Sequence, residues 1–289
     1  VRNNFTDISE NQNNLSVFRN DLSIKNEDLS DFLKDLDVIV HCAAEIRDES
    51  KMEDLHVKGT ENLLNQCLKI RSIKHFIFLS SVGVYGFPDT GLINEKSKLF
   101  FTNQYEKTKL LGESIVTKKL QFSEKKYTIL RPGPIISSKM SNNYLLLLTK
   151  YIDKGYFFYI GRKKTIFNFI HLNNVISSIV LIIKNKKAYN EVFNLCDQVL
   201  FKDLVDKICK NLNKKNKKFF YFPINIAIMI SKLEKIYSKF PLSTSRLKVM
   251  TNLAVFNDYK ITKLLNFKKE QLLDETIYET VKEYKLNKY

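Results

Sequence analysis

The sequence predicts an α/β fold in which helices pack on a parallel β-sheet. Short apolar segments alternate with amphipathic helical segments over about two thirds of the chain, which is the pattern of βαβ units. Two apolar segments, Val38–His41 and His75–Leu79, are followed by small or hydroxyl residues, as strands are where open parallel sheets bind ligands. We expect a nucleotide-binding core over residues 1–142, with segments near 165–200 returning to it, and a smaller lobe over 143–289 that mainly binds substrate.

The core elements are expected in a regular order. The pattern predicts an amphipathic helix over residues 27–36, a strand at 38–41, a helix over 52–70, a strand at 75–79 and then a helix containing Tyr105 and Lys109. A strand over 127–130 runs into Arg131-Pro132-Gly133-Pro134, a break that neither a helix nor a central strand is expected to contain. Strand and helix therefore alternate up to this break.

The remaining segments are mostly helical. The pattern predicts a helix over residues 143–154, strands near Phe157 and Phe167, a helix over 172–184, a strand at 191–195, a helix over 201–212 and a final helix from about 271. No internal repeat is present in the sequence. A nucleotide-binding core with a smaller, mostly helical C-terminal lobe accounts for this change of pattern.

Composition narrows the classes of function. The 289 residues are 44% hydrophobic and 27% charged, as in globular proteins, and carry a formal net charge of +16. Such a charge suits an anionic ligand, a nucleic acid or an acidic membrane surface. Lysine is spread over nearly every predicted helix, without an arginine stripe or an aromatic-interleaved basic patch, so nucleic acid is not an expected partner.

Cysteine spacing and hydropathy bear on the compartment. The four cysteines form no C-x-x-C pair, which predicts reduced thiols in a cytoplasmic protein without a metal site. No apolar run reaches the roughly 20 residues of a transmembrane helix. Residues 219–230 (FFYFPINIAIMI), flanked by lysines, suit either a buried helix of the lobe or peripheral contact with a membrane, and their length favours the buried helix.

Tyr105 and Lys109 are candidates for acid/base chemistry. A spacing of four residues places both side chains on one face of a helix. A cation about 4 Å from a phenol in a partly shielded site stabilises the phenolate by roughly 4 kcal/mol, which favours proton transfer near neutrality. The same spacing recurs in four other pairs, which are expected to be solvated: Tyr159/Lys163, Tyr259/Lys263, Tyr278/Lys282 and Tyr284/Lys288. Only Tyr105 follows a buried-type strand that ends in hydroxyl residues, Ser80-Ser81.

Four motifs together resemble the extended short-chain dehydrogenase/reductase family over about residues 21–212. They are His41-Cys42-Ala43-Ala44, Ser80-Ser81-Val82-Gly83-Val84-Tyr85-Gly86, Tyr105-x-x-x-Lys109 and Arg131-Pro132-Gly133-Pro134. The sequence is most similar to NAD-dependent epimerases/dehydratases and to 3β-hydroxysteroid dehydrogenase-like proteins. The resemblance implies a Rossmann-type doubly wound sheet, NAD or NADP as cofactor and a small-molecule substrate, and leaves a homodimer open.

The resemblance also implies roles for individual residues. Tyr105 is the acid/base on the reacting oxygen, Ser81 hydrogen-bonds that oxygen, and Lys109 holds the nicotinamide ribose. The implied cofactor-binding residues are Asp21, Leu22, Ala43, Ala44, His56, Ser80, Tyr105, Lys109 and Pro132. The implied substrate-binding residues are Gly83, Tyr85 and Asn143. His171 matches a family motif that opens the next helix, where a structural role is favoured.

The sequence departs from the family at two side chains. His56 stands where the family commonly has asparagine, which weakens its assignment to the cofactor side. Ile166-Phe167-Asn168 stands where sugar-nucleotide enzymes often carry an arginine that contacts diphosphate, and the absence of that arginine favours a less anionic substrate. Asn143 resembles a substrate-side asparagine of the epimerases, although helix capping explains it equally well.

A third departure concerns the start of the fold. No strand followed by a G-x-x-G-x-x-G turn is present, and the sequence begins with Val1-Arg2 where the family's second strand ends. We therefore expect a chain that lacks the first βαβ unit, is poorly soluble by itself and binds NAD weakly. Without that first strand, the strand at Val38 is expected to lose its link to the strand at His75.

Three functions remain open. The first is an NAD(P)-dependent oxidoreductase or epimerase that transfers hydride at a secondary alcohol or ketone carbon of a nucleotide sugar. The second is a 3β-hydroxysteroid dehydrogenase-like enzyme that acts on an apolar alcohol, which the absent arginine and residues 219–230 favour. The third is a non-catalytic dinucleotide-binding or scaffold protein. The intact set of Ser81, Tyr105 and Lys109 argues against the third, because binding alone does not require the tyrosine.

Overall fold

The computed structural model describes residues 16–86, 88, 90–138, 140, 144–161, 164–214, 218–231, 247 and 251–286. The chain divides into two compact units. The first contains residues 1–80, 101–129 and 189–191, and the second contains 81–100, 130–188 and 192–289. The predicted division at residues 142 and 143 stays a prediction.

The first unit alternates strands and helices. Its elements are α1 (Ser30–Leu33), β1 (Val38–His41), α2 (Glu49–Glu53), a π-helix (Asp54–Gly59), α3 (Thr60–Lys69), β2 (His75–Leu79), α4 (Gln104–Leu120) and the start of β4 (Lys126–Pro132). β1 and β2 lie where the apolar segments predicted them. The first helix is shorter than expected, because Asp35 adopts the left-handed conformation with φ of 59° just after it.

The two strands of this unit are direct neighbours. β1 and β2 pair in parallel, from Val38 opposite His75 to His41 opposite Phe78. The expectation that the strand at Val38 loses its link to the strand at His75 is therefore wrong. The helical segment 49–69 is the crossover between them, so β1 and β2 are consecutive strands of one βαβ unit and need no strand between them.

The second unit is built from short sheets and helices. It contains β3 (Thr90–Ile93), β5 (Ile135–Ile136), α5 (Tyr144–Lys154), β6 (Tyr159–Ile160), β7 (Ile166–His171), α6 (Leu172–Ile183), β8 (Glu191–Leu195), β9 (Asp197–Leu200), α7 (Phe201–Asn211), β10 (Tyr221–Phe222), α8 (Ile224–Ser231), β11 (Leu253–Phe256), α9 (Tyr259–Leu265) and α10 (Leu273–Leu286). Two 3₁₀ turns, Val82–Val84 and Lys186–Ala188, complete it. The short strands β3, β5, β9, β10 and β11 were not predicted.

Sheet pairings confirm the α/β class with parallel strands. The main sheet has the order β1-β2-β4-β8, and smaller sheets join β10 to β6, β11 to β3, and β5, β7 and β9 in that order. β4 and β8 run from the first unit into the second, and lie side by side in both. Asn190 N donates to Tyr127 O at 2.7 Å in the first unit, and Gly133 N donates to Leu195 O at 2.9 Å in the second.

The end of β4 differs from the expected break. The strand continues through Arg131 and Pro132, although both were predicted to lie beyond it. Pro132 takes the last strand position, and the next residue continues the pairing with β8, since Gly133 N donates to Leu195 O at 2.9 Å. Gly133 follows with a close approach, since a Cβ there would lie 2.7 Å from Cys196 Sγ. Gly133 therefore keeps the chain beside β8 after the proline, at a position where a larger residue would meet Cys196.

The core of the second unit lies under α5, α7 and α10. Aromatic and aliphatic side chains from these helices and from β6 and β7 form one buried cluster, which includes Leu148, Phe167, Phe201, Leu204 and Ile277. Tyr159 belongs to this cluster with 7% of its surface exposed, so the expectation of a solvated Tyr159/Lys163 pair is wrong for the tyrosine. No helix among the described residues has the length and apolarity needed to cross a membrane.

Candidate active site

Helix α4 holds Tyr105 and Lys109 on a fixed N-terminus. Asn103 caps the helix by accepting a hydrogen bond from Glu106 N at 2.9 Å, and Glu106 Oε2 accepts from Thr102 N at 2.6 Å. Asn103 thus satisfies one of the amide groups that the first helical turn leaves unpaired, and Glu106 ties the residue before the cap to this turn. Tyr105 is half-buried and sits in the first turn, so its position is set by these caps.

Lys109 reaches the carboxyl end of β2. Its Nζ donates to Leu79 O at 2.8 Å, lies 5.2 Å from the centre of the Phe78 ring, and its side chain is 3% exposed. Burial lowers the pKa of Lys109 to about 8, while the nearby Cys42 and Glu113 act in the opposite direction. An ammonium group has three donors, and among the described residues one of them is used by the protein, on Leu79.

Ser80 follows Leu79 and is also buried. Its hydroxyl has no hydrogen-bond partner within the described part of the chain, although 3% of the residue is exposed. A buried hydroxyl without a partner costs free energy, which a ligand can recover by bonding to it. The end of β2 therefore brings together an ammonium group with unused donors and a hydroxyl without a partner among the described residues.

His56 lies in the π-helix and is fixed at both ring nitrogens. Nε2 accepts from Glu45 N at 2.8 Å, and Nδ1 lies 2.8 Å from Thr108 Oγ1 on α4. Because Nε2 is an acceptor, the proton of the neutral ring must be on Nδ1, which donates to Thr108. Burial lowers the pKa of His56 to about 4, so the ring is neutral near pH 7.

The His56 ring also contacts Tyr105 directly. The two rings meet edge to face with centroids 5.7 Å apart, and Thr108 Oγ1 lies 3.1 Å from Tyr105 O. His56 therefore connects the turn after β1 to the turn of α4 that carries the tyrosine. A π-turn inside an α-helix often marks a functional position, and here it contains this histidine.

A second histidine, His41, is linked to His56 through Thr60. Thr60 Oγ1 donates to His56 O at 2.7 Å, so it accepts the 2.9 Å hydrogen bond from His41 Nε2. Burial lowers the pKa of His41 to about 3, with the nearby Lys109 charge acting in the same direction. The imidazoles of His41 and His56 are thus neutral, so they do not compete with the nearby Lys109 for a proton.

The turn after β1 is shaped by Glu45. Its Oε1 accepts from Ile46 N at 2.8 Å and Arg47 N at 2.7 Å, and 5% of the residue is exposed. A carboxylate that folds back on its own turn holds the preceding residues in place. Ala43 is half-buried and Ala44 is exposed, so this strand end presents small side chains at its surface.

Asp21 and Leu22 lie in a tight turn of the first unit. The exposed Asp21 carboxylate accepts from Ser23 Oγ at 2.7 Å and Ser23 N at 2.9 Å, and these bonds lower the pKa of Asp21. Leu22 packs against the π-helix, where a Cβ on Gly59 would lie 2.4 Å from Leu22 O. Only glycine fits at position 59 for this reason, and the turn is held against the segment that carries His56.

The second unit contains Ser81 and its own polar cluster. Ser81 Oγ accepts from Gly83 N at 3.0 Å, which leaves the hydroxyl hydrogen to donate elsewhere. Tyr85 is 4% exposed, and its hydroxyl accepts from Arg131 Nη1 at 2.7 Å and donates to Asn194 Oδ1 at 2.8 Å. Gly83 is buried with them. The phenol of Tyr85 is therefore already hydrogen-bonded inside the unit.

The outcome for the remaining predicted residues is mixed. Pro132 is buried at the end of β4, and Asn143 lies outside the described residues. His171 Nδ1 accepts from Asn173 N at 3.1 Å and so caps α6, the structural role that was favoured. The cofactor and substrate contacts of all assigned residues stay predictions. Glu45, Thr60 and Thr108 were not singled out, because a side chain's hydrogen-bond partner leaves no periodic signal in sequence.

Comparison with known proteins gives the family. Residues 16–179 match the model of an NAD-binding family described as "Male sterility protein". The chain belongs to this family. The resemblance to extended short-chain dehydrogenases/reductases is thereby confirmed, and it agrees with the curated relatives and the solved structures that the chain matches.

Two curated relatives come from different branches. The chain is 29% identical over 180 residues to a UDP-glucose 4-epimerase of Vibrio cholerae, covering 57% of this chain and 53% of the relative. It is 26% identical over 213 residues to a sterol-4-alpha-carboxylate 3-dehydrogenase (decarboxylating) of Dictyostelium discoideum, covering 68% of this chain and 64% of the relative. The chain spans about half to two thirds of the length of these relatives.

The fold is shared with solved epimerase structures. A UDP-glucuronic acid 4-epimerase from Bacillus cereus in complex with NAD superposes with a TM-score of 0.71, at 20% identity, covering 91% of this chain and 78% of that chain. At this identity the likeness shows the fold. The Rossmann-type arrangement expected from the motifs is therefore confirmed.

The residues of the first unit fit the nicotinamide end of an NAD-type cofactor. The fit rests on donors: Lys109 keeps two ammonium hydrogens beyond the one given to Leu79, and Ser80 presents an unpaired buried hydroxyl among the described residues. Ribose hydroxyls accept and donate such bonds. Ala43 and Ala44 at the end of β1 leave the backbone open to close approach.

Proposed function

We propose that this chain carries the catalytic centre of an NAD(P)-dependent oxidoreductase or epimerase that acts at a secondary alcohol or ketone carbon. The observation that carries this proposal is the hydrogen bond from Lys109 Nζ to Leu79 O. It brings the Tyr105/Lys109 face of α4 to the end of the strand that Ser80 and Ser81 follow. Family membership supports the same chemistry.

Each proposed role uses a group with suitable chemistry. When bound, the cofactor supplies the hydride acceptor at its nicotinamide ring. The Tyr105 phenol gives or takes the proton of the reacting oxygen, and the Ser81 hydroxyl hydrogen-bonds that oxygen. Lys109 donates to the ribose, and its positive charge favours the phenolate form of Tyr105. His56 keeps the tyrosine's turn of α4 in place through Thr108.

The Tyr105→Phe variant tests this proposal. In the full-length protein we expect turnover to fall by about 10²–10⁴-fold, since the ring keeps its packing on His56 but cannot exchange a proton. The affinity for NADH, measured by fluorescence titration, is expected to change little. Tyr278→Phe is the matched control, because Tyr278 is 60% exposed on α10 and has a lysine at the same spacing. Near-normal turnover in Tyr105→Phe would sink the mechanism.

A nucleotide sugar is the proposed substrate class. The Vibrio cholerae relative supports it by its name, UDP-glucose 4-epimerase. Full-length protein with NAD is expected to convert UDP-glucose, followed by NMR of the sugar or by absorbance of NADH. UDP and dTDP are expected to raise the melting temperature at micromolar concentration, because both carry the diphosphate that such a site binds.

An apolar alcohol is the second candidate. Asn168 supports it, because its amide joins two strands instead of presenting a cation to a diphosphate. Nδ2 donates to Ala254 O at 3.0 Å, and 7% of the residue is exposed. A 3β-hydroxysteroid that reduces NAD with this protein, together with no thermal effect of UDP or dTDP, would select this candidate and reject the first.

A further inference from the structure

An exposed apolar surface lies on the second unit around α8. Helix α8 buries Ala227 and Ser231, whereas Ile226 and Ile228 are exposed and Met229 is 66% exposed. A helix of a globular protein normally turns such side chains toward the core. The buried helix favoured by the sequence is thus not what residues 224–231 form.

The neighbouring two-stranded sheet extends this surface. β6 and β10 pair in parallel, with Tyr159 opposite Tyr221, and these two rings face the buried core. Alternation along a strand turns Phe158 and Phe220 to the other face. Phe158 is exposed and Phe220 is 68% exposed.

Helix α8 packs on that same outer face of the sheet. Ala227 and Ile160 belong to one small buried cluster, against which Phe222 packs. Phe222 in turn contacts Phe158, with ring centroids 5.6 Å apart. The exposed apolar side chains of this helix and of the sheet it packs on are together called the α8 patch: Phe158, Phe220, Ile226, Ile228 and Met229.

Lysines are frequent in the sequence on either side of the segments that form the α8 patch. Residues 207–233 contain seven lysines and no aspartate or glutamate. Of these, Lys218 is exposed, whereas Lys207 is paired with Asp274 and Lys214 is paired with Asp153 at 2.6 Å. Lys154, at the end of α5, is exposed as well. A surface that combines apolar side chains with exposed lysine side chains complements an anionic, partly apolar partner.

We propose that the α8 patch docks on an anionic lipid surface. Phenylalanine, isoleucine and methionine side chains partition into the boundary between headgroups and acyl chains, and lysines around them attract acidic headgroups. Helix α8 has eight residues, so it lies at the surface and does not cross it. A second copy of this chain is disfavoured as the occupant, because two lysine-rich rims would meet with like charge.

Vesicle binding tests the proposal in the full-length protein. We expect it to sediment with vesicles of two parts phosphatidylcholine to one part phosphatidylglycerol, and to stay in solution with pure phosphatidylcholine. The double variant Phe220→Ser and Met229→Ser is expected to weaken binding about tenfold or more, since two large apolar side chains no longer leave water. Phe122→Ser is the control, because Phe122 is 92% exposed in the first unit and outside the patch.

Charge variants separate the two parts of the surface. Lys154→Glu with Lys218→Glu is expected to weaken binding to the anionic vesicles and to reduce its dependence on salt. Lys186→Glu with Lys187→Glu, exposed lysines elsewhere on the second unit, is the matched control and is expected to have a smaller effect. Equal effects of the two pairs would show attraction by net charge alone and would overturn the proposal.

A fluorescent reporter keeps the test informative if a serine variant misfolds. The sequence has no tryptophan, so Phe220→Trp introduces a single indole. Its emission is expected to shift to the blue on vesicles and to be quenched by brominated acyl chains, while Phe122→Trp shows neither change. An unshifted Phe220→Trp in the presence of anionic vesicles would overturn the proposal. So would a dimer that the double variant dissociates without any effect on vesicle binding, because the patch would then join two copies of the chain.

Discussion

Helices α4 and α8 depart from the usual distribution of polar and apolar side chains in opposite directions. On α4, three charged residues are almost completely buried: Glu106 at 2%, Lys109 at 3% and Glu113 at 4% exposure. On α8, Ile226, Ile228 and Met229 are each more than two fifths exposed. Buried charge and exposed apolar surface are the two observations that packing alone does not explain.

The two helices differ in the contacts that their unusually placed side chains make. The buried charges of α4 are joined to other elements by directed hydrogen bonds, as Lys109 is to Leu79 and Glu106 to Thr102. The exposed side chains of α8 are apolar, so they make no hydrogen bonds and contribute only apolar surface area. Directed bonds suit chemistry at a fixed atom, whereas undirected apolar area suits a partner without fixed atoms, such as a lipid surface.

Replacing Lys109 by methionine is expected to have the largest effect on function and little effect on stability. Turnover should fall by about 10³-fold if Lys109 has the proposed roles, because the phenol of Tyr105 then loses its cation and the cofactor ribose loses its donor. The free energy of unfolding should change by less than about 1 kcal/mol, since relief from burying an ammonium group offsets the lost bond to Leu79. Turnover assays and urea unfolding measure the two effects.

Lys118→Met is the control for this prediction. Lys118 is exposed on the same helix, so its replacement should alter neither quantity. A Lys109→Met protein that loses several kcal/mol of stability, or one that keeps its turnover, would make Lys109 a structural residue and remove the contrast between α4 and α8.

Acid should destabilise the first unit through its buried histidines. Burial lowers the pKa of His41 to about 3 and those of His56 and His75 to about 4, whereas each titrates near 6.5 in an unfolded chain. Below pH 6.5 the unfolded state therefore binds more protons than the folded state. The free energy of unfolding is highest above that pH and falls as the pH drops toward 4. Through His41 alone, the free energy of unfolding should fall by roughly 2 kcal/mol between pH 7 and pH 5.

Urea unfolding at a series of pH values measures this loss. In His41→Gln the fall in stability between pH 7 and pH 5 should be shallower than in the parent protein, whatever the absolute stability of the variant. A parent protein with the same free energy of unfolding at both pH values would show that these imidazoles are accessible to protons in the folded state.

The sequence predicted the parts of this region that periodicity reveals. β1, β2 and the helix with Tyr105 and Lys109 lie where expected, because apolar runs and helical spacing mark them directly. The neighbour relation of β1 and β2 was predicted wrongly, since a strand order was taken from the whole fold while the crossover 49–69 decides the pairing locally. Periodicity marks single elements, and their pairing depends on the connections between them.

Other features could not be predicted from sequence. The π-helix has no distinct sequence pattern, because a single widened turn leaves the amphipathic spacing of a helical segment almost unchanged. His56 bonds to residues 11 and 52 positions away, a relation that spacing does not encode. The exposure of α8 was the less favoured of two alternatives, because an apolar run of this length looks the same whether it faces a core or a surface.

His56→Asn sharpens the role of the π-helix. Asparagine is shorter, so it should keep one of the two bonds that His56 makes to Glu45 N and Thr108, and the protein should lose about 1–2 kcal/mol. His171→Asn is the matched control, because asparagine caps a helix at least as well as the Nδ1 atom that caps α6. Nitrogen NMR of the parent protein should show His56 protonated at Nδ1. An Nε2-protonated ring would contradict the hydrogen-bond assignment.

The smallest effect is expected on α8, and it completes the comparison with α4. Ile226→Ser and Met229→Ser should each change the free energy of unfolding by no more than about 0.5 kcal/mol, because both side chains are exposed. Ala227→Asp should instead cost several kcal/mol, since it places a carboxylate in the cluster that Ala227 forms with Ile160. Urea unfolding of the three variants separates the two faces of one helix. If Ile226→Ser and Met229→Ser were as damaging as Ala227→Asp, the exposed side chains would serve the core of the second unit, and α8 would have no apolar surface left for a membrane.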